Sequence, residues 1–374
     1  MINRHTFRTL VVALVTALVA WPANAQIVDL PPTMHTKTVM AAADRTQIET
    51  FAQAHADALG GAGANADVVK RSRNDLTRPV QNANVTLAFR QAYAEAVTPI
   101  AADLTSSDDP VRRLAGIRIA GVLGTDDAAR IALEALEHDD PGTQYFAISA
   151  LADALATLAS GSPSLSTQVS QDIIAALRGV IVNSDDPVFA DAAIRALINA
   201  VYISQPNQLG TRHAALTALA NATGDRLRAT RAADPDANQL MISALRACGA
   251  IRTAISNPQI TPSRASAVAA IRLGADAFGF VYSRVRSGQV DLSADQDSRS
   301  LEISLVSIAE QTLYRGRIAA GEASPPPTET YTQLELGDSR QFNFRTSELI
   351  GPESTIVSSY NFDRDRFIRP ADED

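Results

Sequence analysis

The sequence predicts an all-α protein, an α-solenoid of stacked helical pairs with a signal peptide before it and an irregular C-terminal tail after it. Two observations favour this fold class. An Asp-Pro pair recurs along the middle of the chain, and each copy precedes apolar residues at helical spacing. Only 5% of the residues are aromatic, so the core must be alanine and aliphatic side chains, which suits closely packed helices. The copies are Asp109-Pro110, Asp140-Pro141, Asp186-Pro187 and Asp234-Pro235.

The four copies agree in detail when each proline is counted as position zero. Position seven is always isoleucine, position nine is isoleucine or alanine, and position ten is alanine or leucine. Such recurrence is typical of repeat proteins, in which each unit buries its apolar face only by stacking on its neighbours. The isoleucines are Ile117, Ile148, Ile194 and Ile242.

Each Asp-Pro pair also suits the start of a helix. An aspartate at the N-cap accepts hydrogen bonds from unpaired backbone amides, and a proline at the first helical position needs no amide partner. This explanation is preferred to one in which the aspartates bind a metal. We therefore predict helix caps at Asp109, Asp140, Asp186 and Asp234.

The chain resembles HEAT-type repeats most clearly over the run Asp185-Asp186-Pro187-Val188 to Ala192-Ala193-Ile194-Arg195-Ala196-Leu197. The next best match is Asp108-Asp109-Pro110-Val111-Arg112 with Ala115, Ile119 and Leu123. The resemblance covers roughly residues 107–257, under half of the chain. It departs from the family pattern where Thr143, Phe189 and Ala237 replace the arginine that follows the valine. The resemblance implies stacked helical pairs and a broad binding surface, and it leaves the ligand open.

Residues 1–25 have the pattern of a secretory signal peptide. Arg4 and Arg8 precede an apolar run over 10–20, and Ala23-Asn24-Ala25 has the small-x-small form of a cleavage site. The run of about 11 apolar residues is short for a ~30 Å membrane core, so an uncleaved anchor is the less favoured alternative. We expect a mature chain that starts near Gln26, is periplasmic or secreted, and has no transmembrane segment.

Three further regions follow the signal. Residues 26–45 are predicted to be an extended leader, and 46–320 an α-helical HEAT-like repeat domain. Residues 321–374 begin with Ser324-Pro325-Pro326-Pro327 and are expected to be a poorly ordered, acidic tail. Its aromatic residues either dock a partner or fold back over the last helix of the stack. They are Phe342, Phe344, Tyr360, Phe362 and Phe367.

Charge argues against one class of partner. The chain has a formal net charge of −8, which becomes −10 without Arg4 and Arg8. Because an acidic chain is a poor match for a polyanion, nucleic acid is not an expected partner. Another protein of the envelope is the expected one.

No group of residues has the spacing of a catalytic or cofactor site. Cys248, the only cysteine, falls at a core position of its repeat and is interpreted as a buried, inert thiol rather than a nucleophile.

Residues between Asp291 and Glu302 have the spacing of an EF-hand calcium loop, but Gln296 replaces the glycine that its turn needs. Calcium is therefore not favoured. The residues with that spacing are Asp291, Ser293, Asp295, Asp297 and Glu302.

Together these patterns lead to the hypothesis of an exported, non-enzymatic scaffold or protein-binding module without a cofactor. Two alternatives remain open. One is a lyase-like or other enzyme on a HEAT-like scaffold, and the other is a structural envelope component that self-associates.

Arg118 and Arg195, both at position eight of their repeats, are expected either to bridge repeats or to be solvated.

Overall fold

The structure is a computed structural model that describes residues 29–61, 65–82, 84–159, 164–293, 295–323 and 329–368. Within these ranges all regular secondary structure is helical, and no strand is present beyond an isolated bridge between Thr125 and Ser164. The all-α class is thus confirmed. The predicted cleavage residues Ala23, Ala25 and Gln26 lie outside the described residues.

Fifteen α-helices occur in the described part of the chain. They are α1 Ala42–Gly60, α2 Ala66–Thr77, α3 Leu87–Thr105, α4 Pro110–Leu123, α5 Asp126–Leu136, α6 Pro141–Thr157, α7 Thr167–Asn183, α8 Pro187–Val201, α9 Leu209–Ala229, α10 Ala237–Ile255, α11 Arg264–Arg286, α12 Ser300–Ala319, α13 Tyr331–Glu335, α14 Ser339–Ile350 and α15 Thr355–Tyr360.

From α1 to α12 the helices pack in two rows. The even-numbered helices contact one another in sequence order from α2 to α12, and the odd-numbered helices do the same from α1 to α11. Neighbours in sequence also pack across the rows, for example α4 on α5 and α8 on α9. This packing is consistent with a helical repeat, and it extends well beyond the residues in which the sequence repeat is recognisable.

Three of the four Asp-Pro pairs begin helices as the sequence predicts. The side chain of Asp109 accepts a hydrogen bond from the Val111 amide at 2.9 Å. Asp186 accepts from the Val188 amide at 2.8 Å. Asp140 accepts from both the amide and the hydroxyl of Thr143, at 2.8 and 2.6 Å. The three bonds from backbone amides each satisfy an N–H that has no partner inside its helix.

The fourth pair differs from the prediction. Asp234 does not cap α10, because its carboxylate accepts from the Asp236 amide at 2.8 Å in a turn that precedes the helix. The helix then begins at Ala237, two residues later than in the other copies. Its buried face moves accordingly, since Met241 is fully buried while Ile242 is only half-buried.

The core consists of two apolar clusters that meet at α4. Ile119 of this helix belongs to the N-terminal cluster, and Ile117 belongs to the larger C-terminal one. Helices α4 and α6 approach closely through Gly121, where an added Cβ would lie 2.5 Å from the Cα of Ala150. Small residues therefore set the distance between neighbouring helices of the row.

Three arginines, two of them buried and Arg226 half-buried, satisfy the ends of neighbouring helices. Each donates from its guanidinium to a backbone carbonyl in the last turn of another helix, where carbonyls have no partner within the helix. The fork of donors on arginine suits this task better than the single ammonium of lysine. The bonds run from Arg90 to Leu123 O at 3.0 Å, from Arg212 to Ala254 O at 2.7 Å, and from Arg226 to Ile181 O at 2.9 Å.

The predicted extended leader is helical at its end. A 3₁₀ turn covers Met34–Thr36, and α1 begins at Ala42 rather than at residue 46. The carboxylate of Asp44 accepts from the Ala41 amide at 3.1 Å and pairs with Lys37 at 2.6 Å. These two contacts stabilise a helix start that the hydrophobic pattern did not indicate.

The C-terminal tail also differs from the prediction of a poorly ordered segment. Within the described residues, 329–368 form the short helices α13, α14 and α15. Helix α14 packs against α11, and α13 packs against α12. The described part of the tail, 329–368, therefore belongs to the folded body.

Helix α11 is long and apolar enough to cross a membrane by length and composition alone. However, 78% of its apolar window is buried inside the protein. Core helices of soluble proteins commonly have this character.

Candidate functional site

A shallow groove lies on the solvent-exposed side of α6 and α8. Tyr145 of α6 is 42% exposed and Val188 of α8 is 53% exposed, although both are large apolar residues. The ring of Tyr145 lies 6.3 Å from that of Phe189. The groove has a volume of about 230 Å³, and its walls also include Asp191 and Arg195. An exposed apolar surface bordered by charges is typical of a site for another macromolecule.

Asp191 fixes the polar wall of this groove. It is buried, it accepts a hydrogen bond from the Ser243 hydroxyl at 2.6 Å, and it pairs with Arg195 on its own helix and with Arg246 on α10. Burial alone would raise the pKa of Asp191, but the Ser243 bond and the two arginines outweigh it, so the pKa lies below the usual value. Asp191 is thus a fixed charge that joins α8 to α10.

The two arginines at position eight both form ion pairs. Arg118 of α4 pairs with Asp153 of α6, so it bridges two repeats. Arg195 pairs with Asp191 within α8. The bridging expectation holds for Arg118, whereas Arg195 is linked to the next repeat through Asp191, which also pairs with Arg246.

The tail aromatics divide into buried and exposed residues. Phe342 and Phe367 are buried in the C-terminal cluster. Phe362 stacks on Tyr360 with ring centres 5.9 Å apart, and it meets Phe367 edge-on at 5.3 Å. Phe344 alone among the five is largely exposed, at 59%. Four of these rings therefore help to attach the tail to the repeat helices.

An ion cluster joins the tail to α9 and α11. Arg366 donates to Asp276 at 2.8 Å and to Asp225 at 3.2 Å, and Arg272 also pairs with Asp225. Burial raises the pKa of Asp276 to about 6, although the nearby arginines Arg366 and Arg272 act in the opposite direction. The cluster combines residues from three distant parts of the sequence, and only Arg272 and Asp276, four residues apart on α11, have a local spacing.

Phe367, the next residue, lies directly on α11 at Gly279. A Cβ added at Gly279 would overlap the carbonyl oxygen of Phe367. A glycine at this helical position therefore lets the tail backbone approach α11 closely.

The other candidate residues do not form a reactive site. Cys248 is buried, and burial raises the pKa of its thiol to about 12. This agrees with the interpretation of an inert core thiol, because the thiolate is the reactive form.

The residues with EF-hand spacing form separate local contacts. The carboxylate of Asp291 accepts from the Ser293 amide at 2.9 Å, and that of Asp295 accepts from the Ser298 amide at 3.0 Å. Glu302 is buried and pairs with Arg284 at 3.2 Å. In the described part of the chain, no group of three or more His, Cys, Asp or Glu residues is arranged to hold a metal ion.

Comparison with known proteins adds little to this geometry. No protein-family model matches the chain, and no curated protein matches it. Among solved structures, the crystal structure of an engineered protein overlaps 72% of this chain and 97% of its own, with 14% identity and a TM-score of 0.28. An overlap of this quality establishes neither a shared fold nor a shared function.

Proposed function

We propose that this protein is an exported, non-enzymatic binding module of HEAT-like repeats that recognises another protein of the cell envelope. The groove on α6 and α8 is its contact surface. The observation that carries the proposal is the exposure of Tyr145 and Val188 beside the charged pair of Asp191 and Arg195. Aromatic side chains at the centre of a polar border are frequent anchors in protein interfaces.

The HEAT-like assignment rests on the Asp-Pro helix starts and on the two-row packing of helices α1 to α12. Solenoids of this kind present extended surfaces along one row of helices, and their ligands contact several repeats. The bridges Arg118–Asp153 and Asp191–Arg246 would keep such a surface rigid, because each joins adjacent helices of the even-numbered row.

The test is a photo-cross-linking amino acid placed at Tyr145 in intact cells, with Gln171 on α7 as the matched exposed control position. We expect a discrete cross-linked protein from position 145 and not from position 171. Val188→Asp should abolish this product, whereas Val182→Asp, at an exposed valine of α7, should leave it unchanged.

Other outcomes would favour the alternatives. A cross-link to a second copy, together with a mass that rises with concentration, would support self-association instead. Equal products from positions 145 and 171 would contradict the groove as the contact surface.

Export is part of the same proposal and rests on the residues between Arg4 and Ala25. N-terminal sequencing of the protein from a cell-envelope fraction should give a chain that starts at Gln26. Ala25→Tyr should leave the precursor uncleaved, because the cleavage site needs a small residue, whereas Asn24→Tyr at the tolerant middle position should be processed normally.

A further inference from the structure

A cavity of about 710 Å³ opens between α9, α11 and the tail, on a different part of the molecule from the groove. Its size is within the range of small-molecule sites, roughly 300–1,000 Å³. Four arginines and one acidic residue, Asp363, line it, in a chain whose formal net charge is −8. The arginines are Arg228, Arg264, Arg272 and Arg366.

Two of these arginines are already neutralised and two are not. Arg272 and Arg366 form the ion cluster with Asp225 and Asp276 described above. Arg228 and Arg264 are exposed and have no ion-pair partner among the described residues. They are available to a ligand that carries negative charge.

Two other side chains that line the cavity carry further hydrogen-bond donors. Asn221 uses its side-chain oxygen to accept from Arg272 at 3.1 Å, which leaves its amide hydrogens for another acceptor. The side chain of Arg366 is only 9% exposed, and its Nε has no hydrogen-bond acceptor in the described part of the chain. Buried donors without a partner are rare in proteins and need an explanation.

One wall of the cavity is apolar. It combines Val268 of α11 with the ring of Phe362, whose orientation is fixed by contacts to Tyr360 and Phe367. A ligand that fits both walls must carry an anionic group and an apolar body. Guanidinium groups bind carboxylates and phosphates alike, through paired hydrogen bonds.

We propose that this cavity binds a small organic anion, a carboxylate or phosphate monoester attached to an apolar or aromatic group. Arg228 and Arg264 pair with the anionic group, Asn221 donates to it, and Phe362 and Val268 contact the apolar body. This site is independent of the groove on α6 and α8.

The test is calorimetric titration of the mature chain with benzoate, phenyl phosphate, inorganic phosphate and benzyl alcohol. At least one aromatic anion should bind saturably. Benzyl alcohol should not bind, and inorganic phosphate should bind at least tenfold more weakly than phenyl phosphate. The double variant Arg228→Gln, Arg264→Gln should weaken binding about tenfold or more, as expected for the loss of charged hydrogen bonds.

Arg178→Gln is the matched control, because Arg178 is also an exposed helical arginine without an ion-pair partner among the described residues. Phe362→Leu provides a second readout and should weaken phenyl phosphate more than inorganic phosphate. Circular dichroism checks that each variant is folded. The proposal is overturned if neither aromatic anion binds saturably, if the double variant binds as tightly as the parent, or if Arg178→Gln weakens binding equally.

Discussion

The guanidinium of Arg366 lies 2.8 Å from the carboxylate of Asp276, a residue that precedes it by 90 positions. The same guanidinium reaches Asp225 at 3.2 Å. One tail residue therefore contacts both α9 and α11. Because the pair is buried, its strength depends on the protonation state of Asp276.

The unfolding free energy should depend on pH through Asp276. Its pKa is about 6 in the folded protein and 3.8 when unperturbed, so the folded state holds the proton more tightly. The contribution of this group is thus fully present below about pH 4 and is lost as the pH rises through about 6. A shift of this size corresponds to roughly 3 kcal/mol.

Urea unfolding of the parent and of Asp276→Asn between pH 4 and 7 checks this prediction. The near-isosteric amide cannot titrate, so the difference in unfolding free energy between the two proteins should change across this window. Parallel pH profiles for the two proteins would contradict the assignment of the titration to Asp276.

Arg366→Gln should loosen the tail. Removing one partner of a buried ion pair leaves the other charge uncompensated and costs about 3–5 kcal/mol. The loss should be larger at pH 8 than at pH 5, because Asp276 can take up a proton at the lower pH. Limited chymotrypsin digestion should then cleave the tail faster. Arg364→Gln is the control, since its pair with Glu353 is solvent-exposed and should matter little.

Gly279→Ala should displace the tail from α11, because the new Cβ would overlap the carbonyl of Phe367. Overpacking of this kind typically costs about 1–3 kcal/mol. Gly249→Ala, at a glycine of α10 with open space around its Cβ position, should instead stabilise the protein by up to ~1 kcal/mol. Thermal unfolding measures both changes, and equal effects of the two substitutions would contradict the close approach of the tail.

The aspartates of two Asp-Pro pairs, Asp186 and Asp234, can be compared directly because only the first caps a helix. Asp186→Ala should lower the unfolding free energy by about 0.5–2 kcal/mol, because the Val188 amide loses its acceptor. Asp234→Ala should cost less, roughly 0.5 kcal/mol, since Asp234 bonds to a turn amide and not to a helical one. Urea unfolding of the two variants separates these cases, and a larger loss for Asp234→Ala would contradict the assigned helix start.

The sequence was informative where local chemistry decides structure. Aspartate and proline determine a helix start through contacts within three residues, so the starts at Pro110, Pro141 and Pro187 were predictable. The fourth start was not, because Asp234 has the same neighbour but its carboxylate is used in a turn. Identical dipeptides can thus lead to different hydrogen bonds.

The tail and the cavity depend on distant contacts instead. Helices α13 and α15 have 5 and 6 residues, too short to be stable on their own, and they require packing against the body. The cavity arginines come from positions 228, 264, 272 and 366, and no periodicity connects the last to the others. Only the excess of aromatic residues in the tail pointed to a segment that folds back.

The arginines of this protein fall into two chemically distinct populations. Those that hold helix ends, such as Arg90 and Arg212, are buried, whereas Arg228 and Arg264 are exposed. Lysine occurs only at Lys37 and Lys70, both in the N-terminal part of the chain. Amine-directed labels will therefore report on one end of the molecule alone. A dicarbonyl reagent such as phenylglyoxal should modify exposed arginines such as Arg178, Arg228 and Arg264 first, while the guanidiniums of Arg90 and Arg212 become reactive only as the helices separate.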